Sequence, residues 1–260
     1  MTQGTAALLG AIAGFTIFLG LPLARLRGLR RGVQGFLNAI ATGILLFLLW
    51  DILAHASEPV EGALAGARHG DPAFWGMAAM FAGGVAAGLM GLLAVNRWLV
   101  SRLPGTAVGT PRTLALTIAT GLGLHNLSEG LAIGQSAASG AIAFAGLLVI
   151  GFALHNITEG FGIAAPLALE RNPPSWGFLL LAGLVGGGPT LVGTVVGYGI
   201  STPHVYVLFL TLAAGALIYV IGEMFAVGRK LNTPIVFGWG VLAGFLLAYA
   251  TDLFLTFAGA

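Results

Sequence analysis

Long apolar stretches, separated by short polar segments, make up most of the chain. There are eight, at residues 5–24, 33–56, 73–96, 113–138, 140–168, 176–200, 204–227 and 234–259. A helix needs about 20 consecutive apolar residues to cross the hydrocarbon core of a bilayer, and each stretch is close to that length. Turn signals such as Thr110-Pro111, Ser139-Gly140 and Pro173-Pro174 lie between them. The pattern predicts an all-α polytopic membrane protein with eight transmembrane helices, forming a single transmembrane domain over 1–260.

The composition agrees with a membrane protein. Apolar residues make up 57% of the chain and charged residues only 8%, whereas soluble domains carry about 25% charged residues. An ordinary cytosolic enzyme and a disordered chain are therefore excluded. The chain has no Cys, so disulfides, thiolate metal sites and cysteine nucleophiles are excluded as well. Glycine accounts for 42 of 260 residues, as in membrane helices whose backbones approach closely.

Lys and Arg residues fall in alternate segments between the stretches. Ten of the eleven follow the first, third, fifth or seventh stretch: Arg25, Arg27, Arg30, Arg31, Arg97, Arg102, Arg112, Arg171, Arg229 and Lys230. Only Arg68 lies on the other side. Cytoplasmic loops carry the excess of basic residues, so we expect both termini to face outside. Since topology accounts for the basic residues, we expect no nucleic-acid partner. The first stretch has no basic region before it and is too long for a signal peptide, so we expect it to be a retained helix.

Several ionisable residues lie inside the apolar stretches. They are Asp51, His55, His125, Glu129, His155, Glu159, Glu223 and Asp252. A charge at the bilayer centre costs about 2.5–3.5 kcal/mol on insertion scales, so such residues are functional candidates.

Four of these residues belong to an internal repeat. Residues 124–130 read Leu-His-Asn-Leu-Ser-Glu-Gly, and residues 154–160 read Leu-His-Asn-Ile-Thr-Glu-Gly. His and Glu are four positions apart in each copy, which places them on one helix face, and Asn follows about 100° around the helix. The spacing predicts a polar stripe on each of two apolar helices.

The turn between the two copies fixes how the stripes meet. Ser139-Gly140 is too short to join anything but antiparallel neighbours. We therefore expect His125 level with Glu159 and His155 level with Glu129, the two levels about 6 Å apart. Imidazole and carboxylate together suit Zn²⁺, Fe²⁺, Mn²⁺ or Co²⁺. A divalent cation or protonation would offset the cost of burying the two carboxylates. A packing role and a proton relay are the alternative roles for the repeat.

At this point the sequence resembles the bacterial-type ZIP family of divalent-metal transporters. The resemblance rests on the eight stretches, on the His-Asn-x-x-Glu-Gly repeat, and on Gly215–Glu223 in the seventh stretch. It implies inverted repeats of helices 1–3 and 6–8 around a helix 4–5 pair. It also implies a first metal site of His125, Glu129, His155 and Glu159, and a second to which Asn126 and Asn156 contribute.

The chain departs from the family pattern at three places. Ser128 and Thr158 stand where the family commonly has Pro before the motif Glu. Gly188 stands where the sixth helix commonly brings a Glu before Pro189, which removes one carboxylate from the second site. The segment from Ser101 to Pro111 has no His, so a cytoplasmic His-rich sensor is not expected.

These observations predict a multi-pass transporter that imports Zn²⁺, or Fe²⁺, Mn²⁺, Co²⁺ or Cd²⁺, through the bacterial inner membrane. The metal is the substrate and no catalytic residue is expected. Asp51, His55 and Asp252 are candidates for an outer vestibule and Glu223 for the inner exit, although an acidic group near a helix end can also simply reach interfacial water. A membrane-embedded zinc enzyme and a metal sensor are the alternative functions, and a homodimer is compatible with the sequence.

Overall fold

The computed structural model describes residues 1–26, 30–67, 73–102, 110–167, 170, 172–200 and 202–257. Arg27, Arg68 and Arg171 of the topology argument lie outside the described residues. So does most of the segment from Ser101 to Pro111.

The described chain is helical and contains no strand, which confirms the all-α prediction. Its helices are α1 (Gln3–Phe15), α2 (Ile17–Gly20), α3 (Arg31–Ala67), α4 (Ala73–Arg102), α5 (Pro111–Ala138), α6 (Ile142–Leu167), α7 (Trp176–Gly199), α8 (Pro203–Leu231) and α9 (Pro234–Phe257). A 3₁₀ turn at Leu21–Arg25 follows α2. The first predicted stretch is thus broken into two helices and this turn. Helix α3 runs eleven residues beyond the predicted end at residue 56 and reaches Ala67. Pro59 lies within this extension and does not end the helix.

Seven of the described helical segments are long and apolar enough to cross a membrane. The predicted stretch 113–138, which forms α5, is not among them. Most of the α5 side chains are buried by neighbouring helices, including His125, Asn126 and Glu129. A helix that other helices surround needs no apolar surface toward lipid, so polar residues are tolerated there.

Side-chain contacts define the two ends of the bundle. At one end, Tyr198 donates a hydrogen bond to the carbonyl oxygen of Met1, and Gln135 donates one to Ile200. At the other, Arg25 donates a hydrogen bond to the carbonyl oxygen of Pro174, and Arg112 pairs with Glu170 at 3.2 Å. We call these the Met1 end and the Arg112 end.

Glycine contacts join the outer helices in two matching pairs. A methyl group at Gly43, Gly244, Gly88 or Gly215 would strike the carbonyl oxygen of Val241, Ile40, Leu212 or Val85, respectively. Each struck oxygen belongs to the residue three positions before the partner glycine. The α3–α9 and α4–α8 contacts are therefore built in the same way.

The inner helices repeat this arrangement. A methyl group at Gly130, Gly160, Gly193 or Gly20 would strike the carbonyl oxygen of Thr190, Ile17, Leu127 or Ile157, respectively. Gly14 and Gly187 approach each other reciprocally at the α1–α7 crossing. Close backbone packing of this kind stabilises helix association where there is no hydrophobic driving force.

Candidate metal centre

The α5–α6 hairpin brings the two copies of the repeat together. Gly140 adopts a φ of 84° in the turn between the helices, a conformation that glycine accepts without strain. His155 Nε2 lies 2.5 Å from Glu129 Oε1, and His125 Nε2 lies 3.7 Å from Glu159 Oε1. Both pairings are those that the antiparallel register predicts.

Three side chains form a compact group of metal-ligating atoms. His125, Glu129 and His155 each offer one ligand atom, and these atoms all lie within 4.8 Å of one another. Glu129 Oε1 is central because it also lies 3.2 Å from His125 Nε2. The His125 and Glu129 side chains are each only 3% exposed. Two imidazoles and a carboxylate are a donor set that Zn²⁺ accepts.

Glu159 stands beside this group. Asn126 Nδ2 donates a 3.0 Å hydrogen bond to Glu159 Oε2, while Glu159 Oε1 has no hydrogen-bond partner among the described residues. The second amide hydrogen bond of Asn126 goes to the carbonyl oxygen of Gly186, also at 3.0 Å. Asn126 therefore fixes the carboxylate of Glu159 and leaves one oxygen directed at His125.

Asn156 is placed differently from the expectation that it joins a second metal site. Its amide donates a 3.0 Å hydrogen bond to the carbonyl oxygen of Ala13 on α1, and its Oδ1 has no partner within the described chain. Its hydrogen bonds within the described structure include none to a carboxylate. Of the two asparagines, only Asn126 makes a hydrogen bond to a motif glutamate.

The positions that depart from the ZIP pattern also have defined surroundings. Ser128 and Thr158 each donate a 2.6 Å hydrogen bond to the carbonyl oxygen three residues back, which is that of His125 or His155. Each hydroxyl is thus satisfied within its own helix by a carbonyl oxygen of the preceding turn. A methyl group at Gly188 would meet nothing within 4 Å, so this position faces open space rather than a packed neighbour.

The group buries two carboxylates beside two histidines. Glu129 and Glu159 are buried to 4% and 1% exposure. Within the parts that the structure describes, their ion-pair partners are His125 and His155, and none is a Lys or Arg. Glu129 Oε2 and both ring nitrogens of His125 also lack a hydrogen-bond partner there. Since buried charges are normally paired or coordinate a metal, a cation held between the carboxylates and His125 Nε2 would give these groups a partner.

A cavity of about 440 Å³ connects the group to the Met1 end. His125 and Glu129 lie at its floor, and Asp51, His55 and Asp252 line its walls. His55 Nδ1 is 3.3 Å from Asp51 Oδ1. The structure therefore brings three of the four predicted pathway residues into one cavity.

Glu223 does not line this cavity. It lies on α8, one turn before Val227 and close in sequence to Arg229 at the helix end. This separates it from the other three pathway candidates.

Sequence reasoning missed the aromatic support of His155. The Phe152 ring lies 5.5 Å from the His155 ring, centroid to centroid, and also lines the cavity. The i, i+3 spacing on a helix could have indicated this contact. Gln135 and Ser136, near the mouth of the cavity, gave no comparable signal.

The comparisons with known proteins do not assign a family. None of the known protein-family models matches the chain, and no curated protein matches it. Function therefore rests on the geometry of the site.

Proposed function

We propose that this protein is a ZIP-like transporter that imports a divalent metal cation, Zn²⁺ in the first place, into the cytoplasm. The observation that carries the proposal is the His125, Glu129 and His155 group. His125 and Glu129 of this group line the floor of a cavity that leads to one end of a membrane-type helix bundle. Buried ionisable groups in membrane proteins are typical of ion pathways. His and Glu ligands also favour passage, because they exchange more readily than thiolates.

The matched glycine contacts support an inverted-repeat architecture. Exchanging α3 with α8 and α4 with α9 turns the contacts of Gly43 and Gly244 into those of Gly215 and Gly88. Exchanging α5 with α6, and α7 with α2, likewise turns the contact of Gly130 with Gly193 into that of Gly160 with Gly20. Inverted repeats around a midplane site are the basis of alternating access in many transporters.

The direction follows from the basic residues. Arg25 and Arg112 lie at the Arg112 end, which the positive-inside rule assigns to the cytoplasm. The cavity opens at the opposite, Met1 end. Metal would enter there past Asp51, His55 and Asp252, lose water, and bind the three-residue group with Glu159 beside it.

The test is zinc uptake by purified protein in liposomes that contain a fluorescent zinc indicator. We expect wild-type protein to take up zinc, and the double variant His125→Ala/Glu159→Ala to lose most of this uptake. His204→Ala is the matched control, because this histidine is exposed at the start of α8. Uptake by the double variant at the wild-type rate would refute the site.

A zinc enzyme is the second candidate, since three protein ligands beside a cavity are also the arrangement of a catalytic zinc site. The same assay separates the two functions because it contains no organic substrate. Zinc binding without flux would favour the enzyme or a sensor, whereas flux would favour the transporter.

A further inference from the structure

The cavity ends at the group of His125, Glu129 and His155, which we call the metal group. The helix faces that line the cavity continue past this group. On α3, Leu48 and Ile52 line the cavity. At spacings of three and four residues, the same face continues toward the Arg112 end as Leu45, Ala41 and Asn38. These three side chains are at most 1% exposed.

Helix α8 shows the same change from open to closed. Tyr206 and Leu210 line the cavity. Farther along this face, Leu217 and Met224 are completely buried. The route past the metal group toward the Arg112 end is therefore filled by side chains.

Met224 lies within this filled region, against α3 and α6. Gly162 lies one turn beyond Glu159 on α6, and a methyl group there would be 3.3 Å from Met224 Cε and 3.7 Å from Ala41 Cβ. Asn38 Nδ2 donates a 3.1 Å hydrogen bond to the carbonyl oxygen of Met224. Helices α3, α6 and α8 thus meet around one flexible side chain.

The matched contacts assign each of these residues a counterpart on the open side. In the exchange of α3 with α8, Gly43 corresponds to Gly215, so Asn38 corresponds to Leu210. In the exchange of α5 with α6, Gly130 corresponds to Gly160, so Gly162 corresponds to Ala132. By the same exchange of α3 with α8, Met224 corresponds to Ile52. All three counterparts, Leu210, Ala132 and Ile52, line the open cavity.

We propose that Met224, seated against Gly162 and held by Asn38, is the gate that separates the metal group from the Arg112 end. In the opposite state, Ile52 closes against Ala132 in the equivalent place. This inference rests on the proposed transport function and adds the residues of the barrier.

The two gates differ in chemistry. Asn38 Oδ1 is buried with no hydrogen-bond partner in the described chain, whereas its counterpart Leu210 offers no polar atom. Methionine is also more flexible than the β-branched isoleucine. An amide oxygen and a thioether can each contact a departing cation, so the Met224 gate suits the exit side.

Single cysteines can report the gate without background, because the chain has none of its own. Ala41→Cys places a thiol in the filled region beside Met224, which we call the seal. Ala132→Cys places a thiol in the open cavity. Protein in liposomes is treated with a membrane-impermeant maleimide from either side. We expect Ala132→Cys to react from the Met1 end and Ala41→Cys to be protected from both ends.

Adding Met224→Ala should expose Ala41→Cys to reagent from the Arg112 end, with labelling faster by about tenfold or more, as expected when a protecting contact is lost. Met224→Leu, which keeps the volume, should keep the protection. Equal labelling of Ala41→Cys in the wild-type and Met224→Ala backgrounds would overturn the proposal.

A second variant covers the case in which Met224→Ala does not fold. Gly162→Leu should wedge the seal and abolish zinc uptake while Ala132→Cys still reacts from the Met1 end. Normal uptake by Gly162→Leu would overturn the gate. If labelling of Ala41→Cys depends on Met224 but wild-type protein transports no zinc, the gate is supported and the transport function is refuted. If wild-type protein transports zinc but labelling of Ala41→Cys does not depend on Met224, the transport function is supported and the gate is refuted.

Discussion

Replacing Glu129 by Gln should cost more metal affinity than replacing Glu159 by Gln. Glu129 Oε1 is within 3.2 Å of one imidazole and 2.5 Å of the other, so Glu129 alone among the described residues pairs with both histidines. Glu159 reaches one imidazole, at 3.7 Å, and its other oxygen is held by Asn126. The side chains have nearly the same shape as Gln, so each substitution removes mainly charge.

The magnitude follows from binding linkage. Loss of a residue that merely orients a ligand weakens metal binding about 10–100-fold, so we expect about 100-fold for Glu129→Gln. Zinc at about 100 times its Kd stabilises wild-type protein by about 2.7 kcal/mol. With Kd raised 100-fold, the same zinc concentration gives only about 0.4 kcal/mol. The difference of about 2.3 kcal/mol corresponds to about 5–9 °C in Tm.

The assay is thermal unfolding in detergent with and without zinc. Without metal, Glu129→Gln should be less stable than wild type, because it removes the carboxylate that pairs with both histidines and leaves them buried without it. With zinc, its Tm shift should nearly vanish, while Glu159→Gln keeps a larger shift. Glu61→Gln, at an exposed α3 position, is the matched control. A zinc shift of wild-type size in Glu129→Gln, or a smaller one in Glu159→Gln than in Glu129→Gln, would refute the assigned roles.

Three further outcomes are expected. Asn126→Ala should weaken zinc binding about 10–100-fold, measured by calorimetry, because the Glu159 carboxylate loses its amide donor; an unchanged Kd would contradict this. Gly130→Ala should lower stability by about 1–3 kcal/mol through overpacking against Thr190, whereas Gly91→Ala, with nothing within 4 Å, should be neutral or stabilising; thermal unfolding compares the two. Zinc uptake should fall as the pH outside drops below about 6, because protons compete with metal for the imidazoles. Stronger uptake at about pH 5 than at about pH 7 would instead indicate proton coupling.

Much of the fold and the first contacts of the site could be read from local sequence. Apolar runs of sufficient length must be helices in a bilayer, since every backbone polar group has to be satisfied within the helix. The His-x-x-x-Glu spacing places both groups on one face, and the Ser139-Gly140 turn fixes the antiparallel register. These features depend on periodicity and chain geometry alone, and for that reason His155 meets Glu129 and His125 faces Glu159 as predicted.

Tertiary packing decided how equivalent residues are used. Asn126 and Asn156 occupy the same place in the repeat, yet Asn126 binds Glu159 and Asn156 binds Ala13, because different helices pack against the two copies. Burial by its neighbours lets α5 remain polar, and the positions of Ile52 and Met224 leave one side of the metal group open and the other closed. Such choices depend on contacts between residues far apart in the chain, which no local pattern encodes.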